Sequence, residues 1–151
     1  MRNELLVNTD NHQLHMAADC PDWNAGWGWA QRTLARAKMP LARGTTRAQW
    51  ILFGHGALTA ARENVSSCIW GAVLQAMSGL RYGLVADGTD FAPRAVMAVA
   101  RRVVIKVAAA DLERARNDAH PLTKSQWAAR WNGLLRPDRH SVTGFVALPG
   151  W

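Results

Sequence analysis

Arginine and tryptophan supply most of the chemistry in this sequence. Arg94, Arg101, Arg102, Lys106 and Arg116 recur at helical spacing through residues 90 to 117. A guanidinium is a fixed fork of donors that pairs with carboxylate or phosphate oxygens, so cations repeated along one side of a helix suit an anionic partner. The chain also carries eight tryptophans. Trp23, Trp27 and Trp29 share one segment, and Trp127 and Trp131 stand one turn apart in another. Tryptophan brings a large apolar area with few rotatable bonds and a polar edge, which suits it to interfaces as well as cores. Trp50 and Trp70, in apolar helices, read as core, whereas Trp151 reads as exposed or used in self-association. The candidate partner-binding set is therefore Arg94, Arg101, Arg102, Lys106, Arg116, Trp23, Trp27, Trp127 and Trp131.

Other chemistries find less support. Asp10, His12, His15 and Cys20 have metal-like ligand types, but a second close pair of Cys or His is missing nearby, so no metal site and no cofactor are expected. Ser66, Ser67, Ser78, Ser125 and Ser141 lack the G-x-S-x-G turn of an activated serine, and no glycine loop resembles a phosphate cradle. With three glutamates and with aspartates scattered at turns and caps, spacing gives no pair of carboxylates for acid–base work. No catalytic residue is assigned. A site assembled from distant residues, such as His55 with Cys68 or Asp87, stays open as an alternative.

Composition narrows the classes further. Lys+Arg 18 against Asp+Glu 11 leaves a net charge of +7, which favours encounter with acidic partners. Two cysteines, Cys20 and Cys68, are too few for a disulfide framework and read as free thiols. The first residues lack the apolar run of a secretory signal, so the expected location is the cytoplasm. The uncharged run from Asn64 to Leu80 contains Asn64, two serines, Gln75 and Ser78, and falls short of the roughly 20 apolar residues needed to span a bilayer.

The elements that must position these residues read as mainly helical. At 151 residues and 49% hydrophobic content, one domain over 1–151 is expected. Residues 4 to 8 and 12 to 16 form a candidate hairpin around Asn8-Thr9-Asp10-Asn11. Asp22 can cap a helix from Trp23 to Lys38, with Gly26 and Gly28 weakening its first turns. Thr46 and Gln49 have capping-box spacing ahead of a helix from Arg47 to Glu63, inside which Gly54-His55-Gly56 would admit a close neighbour. Ile69, Val73, Met77 and Leu80 mark a helix from Ser66 to Tyr82, with Gly83 as its stop and Leu84 to Thr89 as a loop.

Asp90 or Thr89 can cap the long helix, and Pro93 fits its first turn. Its apolar side collects Val96, Val99, Ala100, Val103, Val107 and Ala110. The β-branched run in Arg102 to Ala109 also reads as a buried strand, but the pattern runs far past the length of an ordinary strand, which favours helix. Thr123 with Gln126 repeats the capping box before a short helix carrying Trp127 and Trp131. Arg136-Pro137-Asp138 breaks the pattern, and Val142 to Leu148 reads as a last strand. The expected fold class is α+β and predominantly α-helical, with about five helices and a small antiparallel sheet from the N-terminal hairpin and the C-terminal strand.

A short, single-domain chain with many tryptophans and without a catalytic signature resembles, in profile, the small host-defence inhibitors of phages and mobile elements, including anti-CRISPR proteins. That resemblance implies a stoichiometric blocker of a large nucleoprotein machine. Many such proteins are acidic mimics of nucleic acid, whereas this chain is basic and points to covering an acidic protein patch. The leading expectation is a non-enzymatic inhibitor that binds such a patch through its basic helix face and exposed tryptophans, with a homodimer as its own assembly. The alternative is a nucleic-acid-binding regulator. Against that, Glu113 falls within the cationic arc, Ile105 and Leu112 interrupt it, and no DNA- or RNA-binding motif is present.

Overall fold

The computed structural model describes residues 23–54, 60–87, 92–117 and 123–151. Among the described residues lie five helices: α1 (Asn24–Arg36), α2 (Arg47–Phe53), α3 (Ala60–Asp87), α4 (Pro93–Arg116) and α5 (Lys124–Arg130). An antiparallel pair of strands follows, β1 (Leu135–Pro137) and β2 (Phe145–Ala147). The fold is predominantly helical α+β, as the hydrophobic periodicity requires.

Local chemistry sets several boundaries. Thr46 and Thr123 each open a helix with a complete capping box. The Thr46 hydroxyl accepts from the Gln49 backbone N–H at 3.1 Å, and the Gln49 side chain accepts from the Thr46 N–H at 2.9 Å. The reciprocal pair at Thr123 and Gln126 spans 3.2 and 2.7 Å. Two otherwise orphaned donors are thereby satisfied at each start.

The expected helix from Arg47 to Glu63 is divided. Gly54 adopts φ +69°, where a side chain would be strained, and ends α2 instead of packing inside a helix. Glu63 belongs to α3, which begins at Ala60 and continues through Gly83 to Asp87. Glycine permits a left-handed stop without imposing one, so Gly83 does not end the helix and Leu84 to Asp87 are helical instead of looped. The long helix is capped at Ala92 without a side-chain bond and carries Pro93 in its first turn, so neither Thr89 nor Asp90 is its N-cap. It stays helical through Arg102 to Ala109, which removes the strand reading.

Helices α1, α3 and α4 pack against one another, and α5 lies on α4. The packed face of α4 follows Val96, Ala100, Val104, Ala108 and Leu112, all buried. This is a four-residue ridge, the row that fits a neighbouring helix's grooves in the commonest packing class. It differs from the expected stripe. Val99 and Val103 are only partly buried, Val107 is 37% exposed, and Ala110 is exposed. A four-residue row drifts around the helix axis, whereas a fixed wheel averages the face over the whole length. Gly26 of α1 is placed at the crossing, where a Cβ would lie 2.7 Å from Val73 Cγ1 and 3.4 Å from Val96 Cγ1. Its value is close approach, which outweighs its cost to the first turns.

The tryptophans form two groups. Trp23, Trp27, Trp50 and Trp70 gather where α1, α2 and α3 meet, with ring centroids 5.2 to 6.3 Å apart. Trp127 packs on Phe145 at 5.4 Å and donates from Nε1 to the Ala108 carbonyl at 2.9 Å, which ties α5 and the sheet to α4. Strands β1 and β2 pair Leu135 with Ala147, Arg136 with Val146 and Pro137 with Phe145. The segment read as a pattern break thus contributes a strand, since a two-stranded ribbon has an outer edge that tolerates proline. Strand β2 falls within the expected 142–148. The expected N-terminal hairpin, over 4 to 8 and 12 to 16, lies outside the described residues, so the observed sheet is C-terminal alone.

Candidate functional site

The cations predicted on α4 separate by the company they keep. Arg94, Arg102 and Lys106 are exposed, and no carboxylate among the described residues pairs with them. They occupy one outer row with Ala98, Ala110 and Arg114, each position four residues from the next. At 1.5 Å rise per residue, Arg102 and Lys106 stand about 6 Å apart along the axis. The small side chains of Ala98 and Ala110 leave this row open to close approach.

Arg101 and Arg116 do not belong to that row. The Arg101 guanidinium lies 5.1 Å over the Trp151 ring, a cation–π contact that holds the end of the chain against α4. Arg116 lies over Gly144 of the β1–β2 turn and approaches Glu113 at 3.9 Å. Both are turned toward the protein's own elements. Arg114, not singled out from the sequence, completes the outer row but leans on Asp111 at 3.6 Å and on the Ala110 carbonyl at 3.4 Å. Its signal was the same four-residue step that leads from Arg94 through Arg102 and Lys106.

The tryptophan calls are corrected by burial. Trp23 is 8% exposed, Trp127 0% and Trp131 1%, so these three are core residues and cannot serve as exposed anchors. Trp27 is partly buried among Trp50 and Trp70, with Arg47 at 5.5 Å over its ring. Trp151 is half-buried and donates from Nε1 to the Leu134 carbonyl at 3.0 Å. Indoles have enough apolar area to fill a core of alanine-rich helices, and the N–H groups of Trp50, Trp127 and Trp151 find acceptors at least 16 residues away in sequence. Among the residues whose burial is described, the large hydrophobics left exposed are Val107 and Val142.

A charged cluster invisible in the sequence sits at the far end of α4. Asp111 is buried and accepts from Arg130 Nη1 at 2.9 Å, with side chains only 11% and 14% exposed. Asn64, Cys68, Arg114 and Trp131 join this pair around a cavity of about 230 Å³. Burial first, and the negative charge of Asp111 second, push the Cys68 thiol up to about 11. At neutral pH it keeps its proton, and a protonated thiol is a poor nucleophile, so this site does not activate Cys68. His55, its suggested partner, lies outside the described residues.

A second cleft of about 350 Å³ opens between Arg116, Lys124 and Arg139, with Asp138 on its wall. Among the described residues no three His, Cys, Asp or Glu gather as metal ligands, and the cluster of Asp10, His12, His15 and Cys20 lies outside them. No described helix is long and apolar enough to cross a membrane.

Comparison with family models, curated proteins and solved structures returns no significant match. The reading of function therefore rests on the geometry of these surfaces.

Proposed function

We propose that this chain is a non-enzymatic binding protein that covers an acidic surface of a partner protein with the outer row of α4. One observation carries the reading: Arg94, Arg102 and Lys106 project from a single helix, and no carboxylate among the described residues pairs with them. The helix fixes the spacing of the three side chains, and forked contacts from the two arginines to carboxylates give orientation as well as attraction. The profile resemblance to host-defence inhibitors supports the same picture of a stoichiometric blocker, with a CRISPR or other defence effector as the partner. An acidic protein is favoured over nucleic acid because exposed Glu113 stands at the C-terminal end of the row, where it would repel a phosphate track but can pair with a cation on a protein.

The test is a capture experiment from the host with wild type and with the double variant R102E/K106E, each with and without nuclease. One dominant protein should be retained by wild type after nuclease, and lost by the variant at equal folded content. Complete loss of that partner on nuclease treatment, together with retention that falls steeply with salt, would transfer the row to nucleic acid. Equal capture by both proteins would remove the row from the binding surface.

A further inference from the structure

The cleft of about 350 Å³ at the C-terminal end of α4 gathers cations from three separate elements. Arg116 comes from the last turn of α4, Lys124 from the start of α5 and Arg139 from the turn between β1 and β2. All three are exposed, so a ligand in the cleft can reach them. The size falls in the range of small-ligand sites, and low-dielectric walls focus the field of like charges at the mouth of a cleft.

Two of the three are held by local contacts that leave donors unspent. The Arg116 guanidinium rests on Gly144, at φ +85°, where a side chain would collide with Arg116 Nη2. Its ion-pair partner among the described residues, Glu113, stands 3.9 Å away and is 66% exposed, a pairing of little strength in water. Arg139 donates from Nε to His140 Nε2 at 3.2 Å, and its two Nη groups bond nothing among the described residues. Lys124 forms no ion pair among the described residues.

Asp138 and Ser141 add acceptors to this set. Asp138 Oδ1 accepts from the His140 backbone N–H at 2.9 Å, while Oδ2 has no partner among the described residues. Thr143 Oγ1 donates to the Phe145 carbonyl at 3.0 Å, so the Ser141 hydroxyl is the donor in its own 3.0 Å bond to Thr143 and keeps its lone pairs. A carboxylate among cations repels an anion but accepts from a hydroxyl, so a ligand that fits carries hydroxyls as well as charge. Three cations and one carboxylate leave the lining at +2. A phosphate monoester, at roughly −1.5 to −2 near neutral pH, matches that charge and takes forked contacts from guanidinium groups. We infer that this cleft binds a small hydroxylated phosphate monoester of the sugar-phosphate class, its phosphoryl group on Arg116, Lys124 and Arg139 and its hydroxyls on Asp138 and Ser141.

Titration calorimetry at fixed ionic strength tests this on the full chain. The probes are the phosphate monoesters of glucose, ribose and glycerol, with glucose, inorganic sulfate and a phosphoserine peptide for comparison. At least one monoester is expected to saturate the protein, with glucose and sulfate each at least about tenfold weaker. R116A and R139A, at exposed positions, should each weaken that monoester about tenfold at unchanged folded content. R102A removes the same charge roughly 21 Å away along α4, beyond the reach of screened charge, and should leave affinity within about twofold. D138N keeps the acceptor for His140 and removes the negative charge, so sulfate should tighten about threefold and the monoester's lead over it should narrow. A purely structural role for Asp138 would not move that preference. The inference is overturned if no monoester binds at millimolar concentration, if sulfate binds as well as the monoesters, or if R116A and R139A weaken binding no more than R102A. A phosphoserine peptide that binds more than about tenfold tighter than every monoester would overturn it too, by making a protein segment the ligand. Failure here leaves the α4 outer row untouched, and equal capture by wild type and R102E/K106E leaves this cleft untouched.

Discussion

The two halves of α4 use the same residue type for opposite ends. As far as Lys106, the outer row of Arg94, Arg102 and Lys106 has no carboxylate paired with it among the described residues and stands over an inner row of Val96, Ala100 and Val104. In the second half, Asp111 and Glu113 enter the helix, and the cations near them are engaged: Arg130 and Arg114 on Asp111, Arg116 on Glu113. A basic helix is thus a surface where acids are lacking and a scaffold where they are present. The lesson is that arginine count does not measure a binding face; only the cations left over after internal pairing do.

Variants that break the second half should produce the largest effects. Trp127→Ala removes a fully buried indole and its bond to the Ala108 carbonyl, and should cost about 3–5 kcal/mol in a urea titration. A cost below about 1 kcal/mol would mean that α5 contributes little to holding this end. Arg130→Ala leaves the Asp111 carboxylate buried with only the more exposed Arg114 nearby, and should cost about 3 kcal/mol. Near-neutral behaviour of Arg130→Ala would show that Arg114 compensates fully.

Cys68 gives this half a pH signature. Its thiol is raised from 9.0 to about 11, so the folded chain retains a proton that the unfolded chain releases. The contribution is complete below pH 9 and is lost as pH rises toward 11. Relative to Cys68→Ala, wild type should lose roughly 2–3 kcal/mol more stability across that interval. Parallel curves for the two proteins would place the thiol in water.

The smallest stability effects sharpen the contrast from the other side. Arg116→Ala breaks an exposed i,i+3 pair at 3.9 Å and should change stability by about 0.5 kcal/mol or less. Arg94→Ala, Arg102→Ala and Lys106→Ala should each fall within about 0.5 kcal/mol in thermal melts, yet together abolish capture of the partner. Substantial destabilisation by any of the three would reveal an internal role and return that cation to the scaffold.

Much of this architecture was legible without coordinates. The capping boxes at Thr46 and Thr123 are local hydrogen-bond chemistry, complete within four residues, and they set two helix starts as read. Pro93 and the long apolar repeat gave α4 its helical state in spite of its β-branched run, because length and period are properties of the segment itself. The helical class, the cationic outer side at Arg94, Arg102 and Lys106, and the core role of Trp50 and Trp70 all follow from such patterns.

Tertiary structure decided the rest. Whether an indole is filler or anchor depends on which elements close over it, so Trp23, Trp127 and Trp131 became core only once α1, α3, α4, α5 and the sheet were assembled. The drift of a four-residue row is intrinsic to a helix of 3.6 residues per turn, but which row of α4 is packed depends on the neighbouring helices that cover it. Asp111 meets Arg130 across 19 residues, and Arg101 meets Trp151 across a longer stretch, so the division between cations held inside and cations left outside is a property of contact, not of spacing. Short-range hydrogen bonding writes the helices into the chain; the balance of desolvation and pairing, which exists only where distant segments touch, writes its surface.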